Sequence, residues 1–159
     1  MRSSQLASAI LAPVFLAALV AGCGATTSAS GGGGQQCGSG HRVEVVVELA
    51  SKKVVDSCVS FTAAEIPAET AMKRSGIEFA TKHFSFGDAI CQIDREPTAY
   101  TNCFATGQPY WALFTWSGEG PWKLAQTGVS GIELRPGDAL GWHFGTGSPA
   151  APPKPPQNQ

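Results

Sequence analysis

The chain has 159 residues, of which 11 are basic and 12 are acidic, giving a net formal charge of −1. These charges are scattered without a basic cluster, and this excludes nucleic acid as an expected partner because binding phosphates requires concentrated Lys and Arg. A chain of this length has room for one small domain with a modest core.

The N-terminus has the features of a bacterial lipoprotein precursor. Arg2 precedes an apolar run at residues 7–21, which has the length of a signal-peptide core and is too short to span a bilayer comfortably. The run closes with the lipobox-like sequence VAGC, whose last residue is Cys23. We therefore predict a signal peptide at residues 1–22 and an exported protein whose lipidated Cys23 anchors it at the outer face of the cell membrane. An ordinary secretory signal with a chance cysteine is the alternative.

Composition divides the rest of the chain into three parts. Residues 23–40 begin with the lipidated cysteine and are rich in Gly and Ser, which predicts a flexible linker. Residues 41–146 form the predicted domain. Residues 147–159 contain five prolines and predict a disordered tail. The tail is expected to lie in solvent, with a spacer reaching into cell-wall polymer as the alternative.

The four remaining cysteines are an even set in a small exported domain, which predicts two disulfides. Four cysteines allow three pairings. We favour Cys91–Cys103, which closes a short turn-like loop, with Cys37–Cys58 as the second bridge. A zinc site is not expected, because the chain has no Cys-x-x-Cys motif and its three histidines lie far apart in sequence.

The first elements of the domain are a hairpin and a helix. Apolar alternation predicts strands at Val43–Leu49 and Val54–Phe61, joined by a turn. Residues 66–75 (IPAETAMKRS) predict a helix with Pro67 in its first turn and Gly76 after its end.

Short strands separated by turn residues follow the helix. They are expected at residues 77–80, 83–86, 89–93, 110–116, 122–125, 132–134 and 140–144. The pattern predicts an α+β fold, a mostly antiparallel sheet with one helix packed on a face.

The stretch QPYWALFTW, residues 108–116, carries large apolar groups on both faces of its predicted strand. This favours a central strand covered on both sides, with Trp111 and Phe114 in the core. Other rings near turns could stack a planar ligand or a sugar, or could simply cap the core. The candidate binding residues are Tyr110, Trp116, Trp122 and Trp142, and we expect Trp122 and Trp142 to be partly exposed.

The order of these elements resembles the transcobalamin-like C-terminal domain. The matching features are the hairpin, a helix ending at Gly76, the sequence ICQID, Tyr110-Trp111, Trp122, Gly128, Gly137-Asp138 and Gly141-Trp142. The resemblance implies a small β-rich module that, in such carriers, closes over a corrin bound to a separate helical domain. It also implies an accessory role in uptake or adhesion at a bacterial surface.

Catalytic motifs do not emerge from the sequence. The segment at residues 128–131 (GVSG) is out of step with a nucleophile elbow, and Asp88, Asp94 and Asp138 occupy turn-like places. We therefore predict a non-catalytic module without a cofactor, which binds a small planar ligand or assists a membrane transporter. A structural or adhesive protein that binds a protein or cell-wall partner is the alternative, and a hydrolase with an unrecognised site is a third hypothesis.

Overall fold

A mixed five-stranded sheet is the framework of the domain in the computed structural model, which describes residues 37–155. The elements in chain order are β1 (His41–Glu48), β2 (Val54–Phe61), β3 (Ile66–Pro67), α1 (Ala68–Arg74), β4 (Phe79–Phe84), β5 (Gly87–Ile93), β6 (Tyr110–Trp116), β7 (Lys123–Leu124), β8 (Glu133–Leu134) and β9 (Ala139–Gly145). The large sheet has the order β2-β1-β9-β6-β7, and β3–β8 and β4–β5 form two small sheets. The predicted signal peptide, Cys23 and most of the predicted linker lie outside the described residues.

The predicted α+β class is confirmed, and so are both predicted disulfides, Cys37–Cys58 and Cys91–Cys103. Neighbouring strands are antiparallel except for β1 and β9, which run parallel. The last strand is therefore inserted between the first strand and β6, and this placement closes the core. In the described part of the chain, no helix is long and apolar enough to cross a membrane.

The helix begins later than predicted. Ile66 and Pro67 pair with β8 as a short strand, and α1 starts only at Ala68, whose amide donates to the Ile132 carbonyl at 2.9 Å. The residue before a proline is disfavoured in helical geometry, and Pro67 itself is extended with ψ of 134°. Gly76 follows the helix with φ of +73°, as its predicted capping role requires.

The two strands predicted at residues 77–80 and 83–86 form one strand, β4. Its middle residues Thr81 and Lys82 are exposed and polar, because the β4–β5 hairpin stands apart from the large sheet and has a solvated face. Polar residues are common in turns, so the sequence predicted a break between two strands at these positions, although the strand continues through them.

The inner face of the large sheet carries the main core. Val43, Val45 and Val47 of β1 pack there with side chains from β6 and β9, and Met72 of α1 lies against them fully buried. Alternate positions of β1 supply this face because side chains in a strand alternate between faces. The helix therefore covers the inner face, as predicted.

The outer face is buried where the strands carry aromatic and small residues. Ala112, Phe114 and Trp116 of β6 point there and are buried, as is Val46 of β1. The strand β6 is thus covered on both sides, which confirms the prediction from QPYWALFTW and the assignment of Trp111 and Phe114 to buried positions.

Two carboxylates near the outer face have pKa values that shift in opposite directions. Burial, followed by repulsion from Asp56, raises the pKa of Glu44, although Arg42 partly offsets these effects. Burial also acts to raise the pKa of Glu48. However, hydrogen bonds and charges from Lys52, 3.0 Å away, and His143, 3.3 Å away, outweigh burial and lower it.

These shifts predict opposite effects of two matched substitutions. The pKa of Glu44 is higher in the folded state than in the unfolded state. Ionisation of Glu44 therefore lowers the free energy of unfolding as pH rises from 4.5 through the folded-state pKa. Glu44→Gln should therefore raise the unfolding free energy at pH 7, and Glu48→Gln should lower it. Each change should be below about 1 kcal/mol because both groups are partly screened by water. Urea denaturation at pH 7 and pH 3 measures both, and changes of the same sign at pH 7 would contradict the assignment.

Candidate functional site

The four aromatic residues predicted to bind a ligand do not share one surface. Trp142 is 2% exposed and belongs to the inner core, so the expectation that it would be partly exposed is wrong. Its position near a turn was misleading because β9 is an interior strand of the sheet. Trp116 is 7% exposed and contacts half-buried Trp122 with ring centroids 6.3 Å apart, while the Tyr110 ring meets Phe104 at 5.7 Å.

An apolar cavity of about 320 Å³ opens where β6 faces the β4–β5 hairpin. We call it the lateral groove. Core side chains of Ile90, Trp111, Leu113, Val129 and Trp142 line it, and its other lining residues are Phe86, Ala89, Phe104, Tyr110, Ala112, Leu124, Ala125, Gln126, Thr127 and Gly128. The volume is at the lower end of the range for small-ligand sites.

Large apolar side chains are unusually exposed at this groove. Phe86, Phe104 and Leu124 are 44%, 39% and 46% exposed, and they are the exposed large hydrophobic residues of the described chain. All three line the lateral groove. Scattered exposed hydrophobic residues need no explanation, whereas a group that converges on one cavity marks a binding surface.

The exposed rings form a connected cluster. Phe84 stacks on Phe86 with centroids 5.3 Å apart, and Phe104 contacts both rings edge-on. Tyr110 extends the cluster from Phe104 towards β6. Rings held in this way have little conformational freedom left to lose when a ligand binds.

Two constraints place these rings beside β6. The Cys91–Cys103 bridge ties the loop that carries Phe104 to strand β5. On the other side, the Gly128 amide donates to the Phe86 carbonyl at 2.8 Å. A side chain at Gly128 would put its Cβ 2.4 Å from the Asp88 carbonyl oxygen, so only glycine permits this close approach.

The lateral groove is electrically neutral. None of its lining residues, all of which lie in the described part of the chain, is charged. The indole N–H of Trp111 already donates to the Glu96 carbonyl at 2.8 Å, and that of Trp142 donates to Met72 Sδ at 3.2 Å. The side-chain amide of Gln126 donates to the Leu124 carbonyl at 3.2 Å. A neutral, apolar ligand therefore suits the groove better than a charged one, which would lose its hydration without gaining an ion pair.

The sequence predicted Tyr110 and Trp142 as site residues, and both line the groove, but it missed Phe86, Phe104 and Leu124. Each of these three lies in or beside a turn and is remote in sequence from the other two. The available signals were large apolar residues at turns, together with the position of Phe104 directly after a bridged cysteine.

The contacts of His83, Asp88 and Ser130 are not those of a nucleophile–base pair. His83 Nδ1 contacts Asp88 Oδ1 at 2.8 Å, while Ser130 Oγ accepts a hydrogen bond from the Asp88 amide at 2.8 Å. His83 and Ser130 thus both contact Asp88, and the hydroxyl is used to hold the hairpin. Asp138 accepts from the Arg135 amide at 2.8 Å, which is the turn role expected of it.

One group in the described chain brings three potential metal-ligand atoms together: Cys37, Glu44 and Cys58. Its two sulfurs form a disulfide and therefore provide no thiolate. The arrangement does not fit a metal centre of the cysteine type.

Comparisons with known proteins do not assign the chain to a family. No family model matches it, and no curated protein matches it. A search of solved structures finds the crystal structure of a "putative metal binding protein" from Ruminococcus gnavus ATCC 29149, at 15% identity and a TM-score of 0.48. The match covers 67% of this chain and 98% of that one. A likeness at this TM-score identifies neither a fold nor a ligand for this chain.

Proposed function

We propose that this protein is a lipid-anchored surface protein that binds a small, flat, neutral and apolar ligand in the lateral groove, in support of uptake by a membrane transporter. One observation carries the binding proposal, namely that the exposed large hydrophobic residues of the described chain converge on a cavity without charged walls. The resemblance to the transcobalamin-like domain agrees with an uptake role. The two disulfides support an oxidising compartment outside the cytoplasm.

The binding test uses N-phenyl-1-naphthylamine, a neutral flat probe whose fluorescence rises in apolar surroundings. The full chain should bind this probe, and Phe104→Ala should weaken binding by about fivefold or more, because truncating an aromatic anchor costs more than about 1 kcal/mol. Phe104 is 39% exposed and lies outside the core cluster, so the fold should tolerate this change.

The matched control is Tyr100→Ala, another aromatic truncation outside the lateral groove. Tyr100 is half-buried and lies near Lys82, whose Nζ is 5.5 Å from the ring centroid. Probe affinity should be unchanged in this variant. Equal affinity in wild type, Phe104→Ala and Phe86→Ala would overturn the proposal, as would a failure of the wild-type chain to bind.

The anchoring proposal rests on Cys23 and has its own test. Cys23→Ser should abolish the added acyl mass and release the protein from the membrane fraction or leave it uncleaved, because stable anchoring needs attached acyl chains. Mass spectrometry and membrane fractionation measure both effects. An unacylated wild-type protein found free in the medium would contradict lipid anchoring.

A further inference from the structure

The described part of the proline-rich tail is docked on the sheet. The chain turns at Gly147, which has φ of +72°, and the Tyr110 hydroxyl donates to the Gly147 carbonyl at 3.3 Å. Pro152 then lies buried over Gly141 of β9. The prediction of a tail free in solvent is therefore wrong at this residue, because the outer face offers an apolar surface that the sequence pattern did not reveal.

Glycine at position 141 makes room for this docking. A Cβ there would lie 2.6 Å from Pro152 Cγ and 2.9 Å from Trp122 Cζ3. Gly141 does not have a positive φ. Glycine is therefore needed here for the space that it leaves and not for its backbone conformation. The missing side chain leaves a notch in the outer face, bordered by the Trp122 ring and filled by a proline ring.

The burial pattern of the tail has the period of a polyproline II helix. Pro152 and Pro155 are buried, whereas Pro153 and Lys154 between them are exposed. Polyproline II has three residues per turn, so residues three apart share a face. The tail thus presents the spacing by which proline-rich segments dock on aromatic-lined grooves.

Trp122 carries a hydrogen-bond donor that the docked tail leaves unused. Its Nε1 is buried and has no hydrogen-bond partner among residues 37–155, whereas Trp116 Nε1 donates to the Gly120 carbonyl at 3.0 Å. A buried indole N–H normally finds a partner, and leaving it without one costs stability. A polyproline II segment offers backbone carbonyls that point away from its axis and can accept such a bond.

From these four observations we propose a second binding site, distinct from the lateral groove, that takes a proline-rich segment of polyproline II form. It consists of Trp116, Trp122 and the Gly141 notch. The chain's own Pro152 occupies it as an internal ligand, with Pro155 on the same face of the segment, and a proline-rich segment of another polypeptide displaces them. The incoming segment accepts the hydrogen bond from Trp122 that the tail does not.

The test measures binding of a fluorescent oligoproline peptide, which adopts polyproline II form, to the full chain. An attached internal ligand competes at an effective concentration on the order of millimolar. The double variant Pro152→Ser, Pro155→Ser weakens that competitor, so it should bind the peptide at least about tenfold more tightly than wild type. A control peptide with every proline replaced by serine should not bind.

Trp122→Phe in the double-variant background tests the proposed donor. Phenylalanine keeps an aromatic ring and removes the N–H, so peptide affinity should fall by about fivefold, the usual worth of one hydrogen bond. Phe104→Ala in the same background should leave peptide affinity unchanged, which separates this site from the lateral groove. Equal peptide affinity in wild type and the double variant, absence of binding in both, or equal binding of the serine peptide would each overturn the proposal.

Discussion

Trp142→Ala is expected to lower the free energy of unfolding by about 3–5 kcal/mol, the usual range for emptying a buried aromatic site. Trp142 lies on the inner face of β9 and is paired in register with Val47 of β1 and Leu113 of β6. Its indole N–H donates to Met72 of the helix. The ring therefore connects three strands to α1, and removing it opens a cavity that rigid neighbours can fill only in part.

The matched control is Trp122→Ala, the same substitution at a half-buried ring on the outer face. This variant should lose less stability, because part of the Trp122 ring is already in contact with water and its N–H makes no hydrogen bond within the described part of the chain. Urea denaturation followed by circular dichroism measures both variants. A loss for Trp122→Ala equal to that for Trp142→Ala would contradict the assignment of Trp142 to the central core.

The contrast between these two tryptophans shows what the sequence could predict about the fold. Alternation along β1 and β2 and the continuous apolar run of β6 are local properties, and they predicted those strands closely. The exposure of Trp142 is not local, because it depends on the parallel pairing of β9 with β1. No pattern within residues 139–145 indicates that this strand lies in the middle of the sheet.

The same limit applies to the candidate site. The lateral groove takes its exposed rings and its Leu124 rim from three separate segments, and only the tertiary fold brings them together. The paired cysteines are the exception, because a predicted disulfide specifies that two residues distant in sequence lie in contact. The predicted Cys91–Cys103 bridge thus gave the one correct long-range constraint beside this groove, although the sequence did not show what the bridge positions.

The same limit applies to the proline-rich tail, because its composition is visible in the sequence but its docking on the sheet is not. The five prolines of residues 147–159 indicate a polyproline-like extended tail. The docking of Pro152 depends on the absence of a side chain at Gly141 and on the Trp122 ring beside it. These features come from β9 and from the segment before β7, so no local pattern connects them to the tail.

Removal of the Cys91–Cys103 bridge by the double substitution Cys91→Ala, Cys103→Ala should lower stability by about 3 kcal/mol and also weaken probe binding in the lateral groove. The stability effect follows from releasing a closed loop with a sequence separation of 12 residues in the unfolded chain. The binding effect follows from position, because Phe104 is adjacent to Cys103 and its ring is held against Phe84 and Phe86 only while the loop stays beside β5.

The variant Cys37→Ala, Cys58→Ala separates these two effects. Its bridge has a sequence separation of 21 residues, so its removal should cost a similar amount of stability, about 3 kcal/mol. That bridge joins the start of the described chain to β2, at the opposite edge of the sheet from the lateral groove. Affinity for N-phenyl-1-naphthylamine should therefore fall only in the Cys91, Cys103 variant, measured at a temperature where both variants are folded. An equal fall in both would show that the groove responds to general destabilisation, and unchanged affinity in both would show that the bridge does not position Phe104.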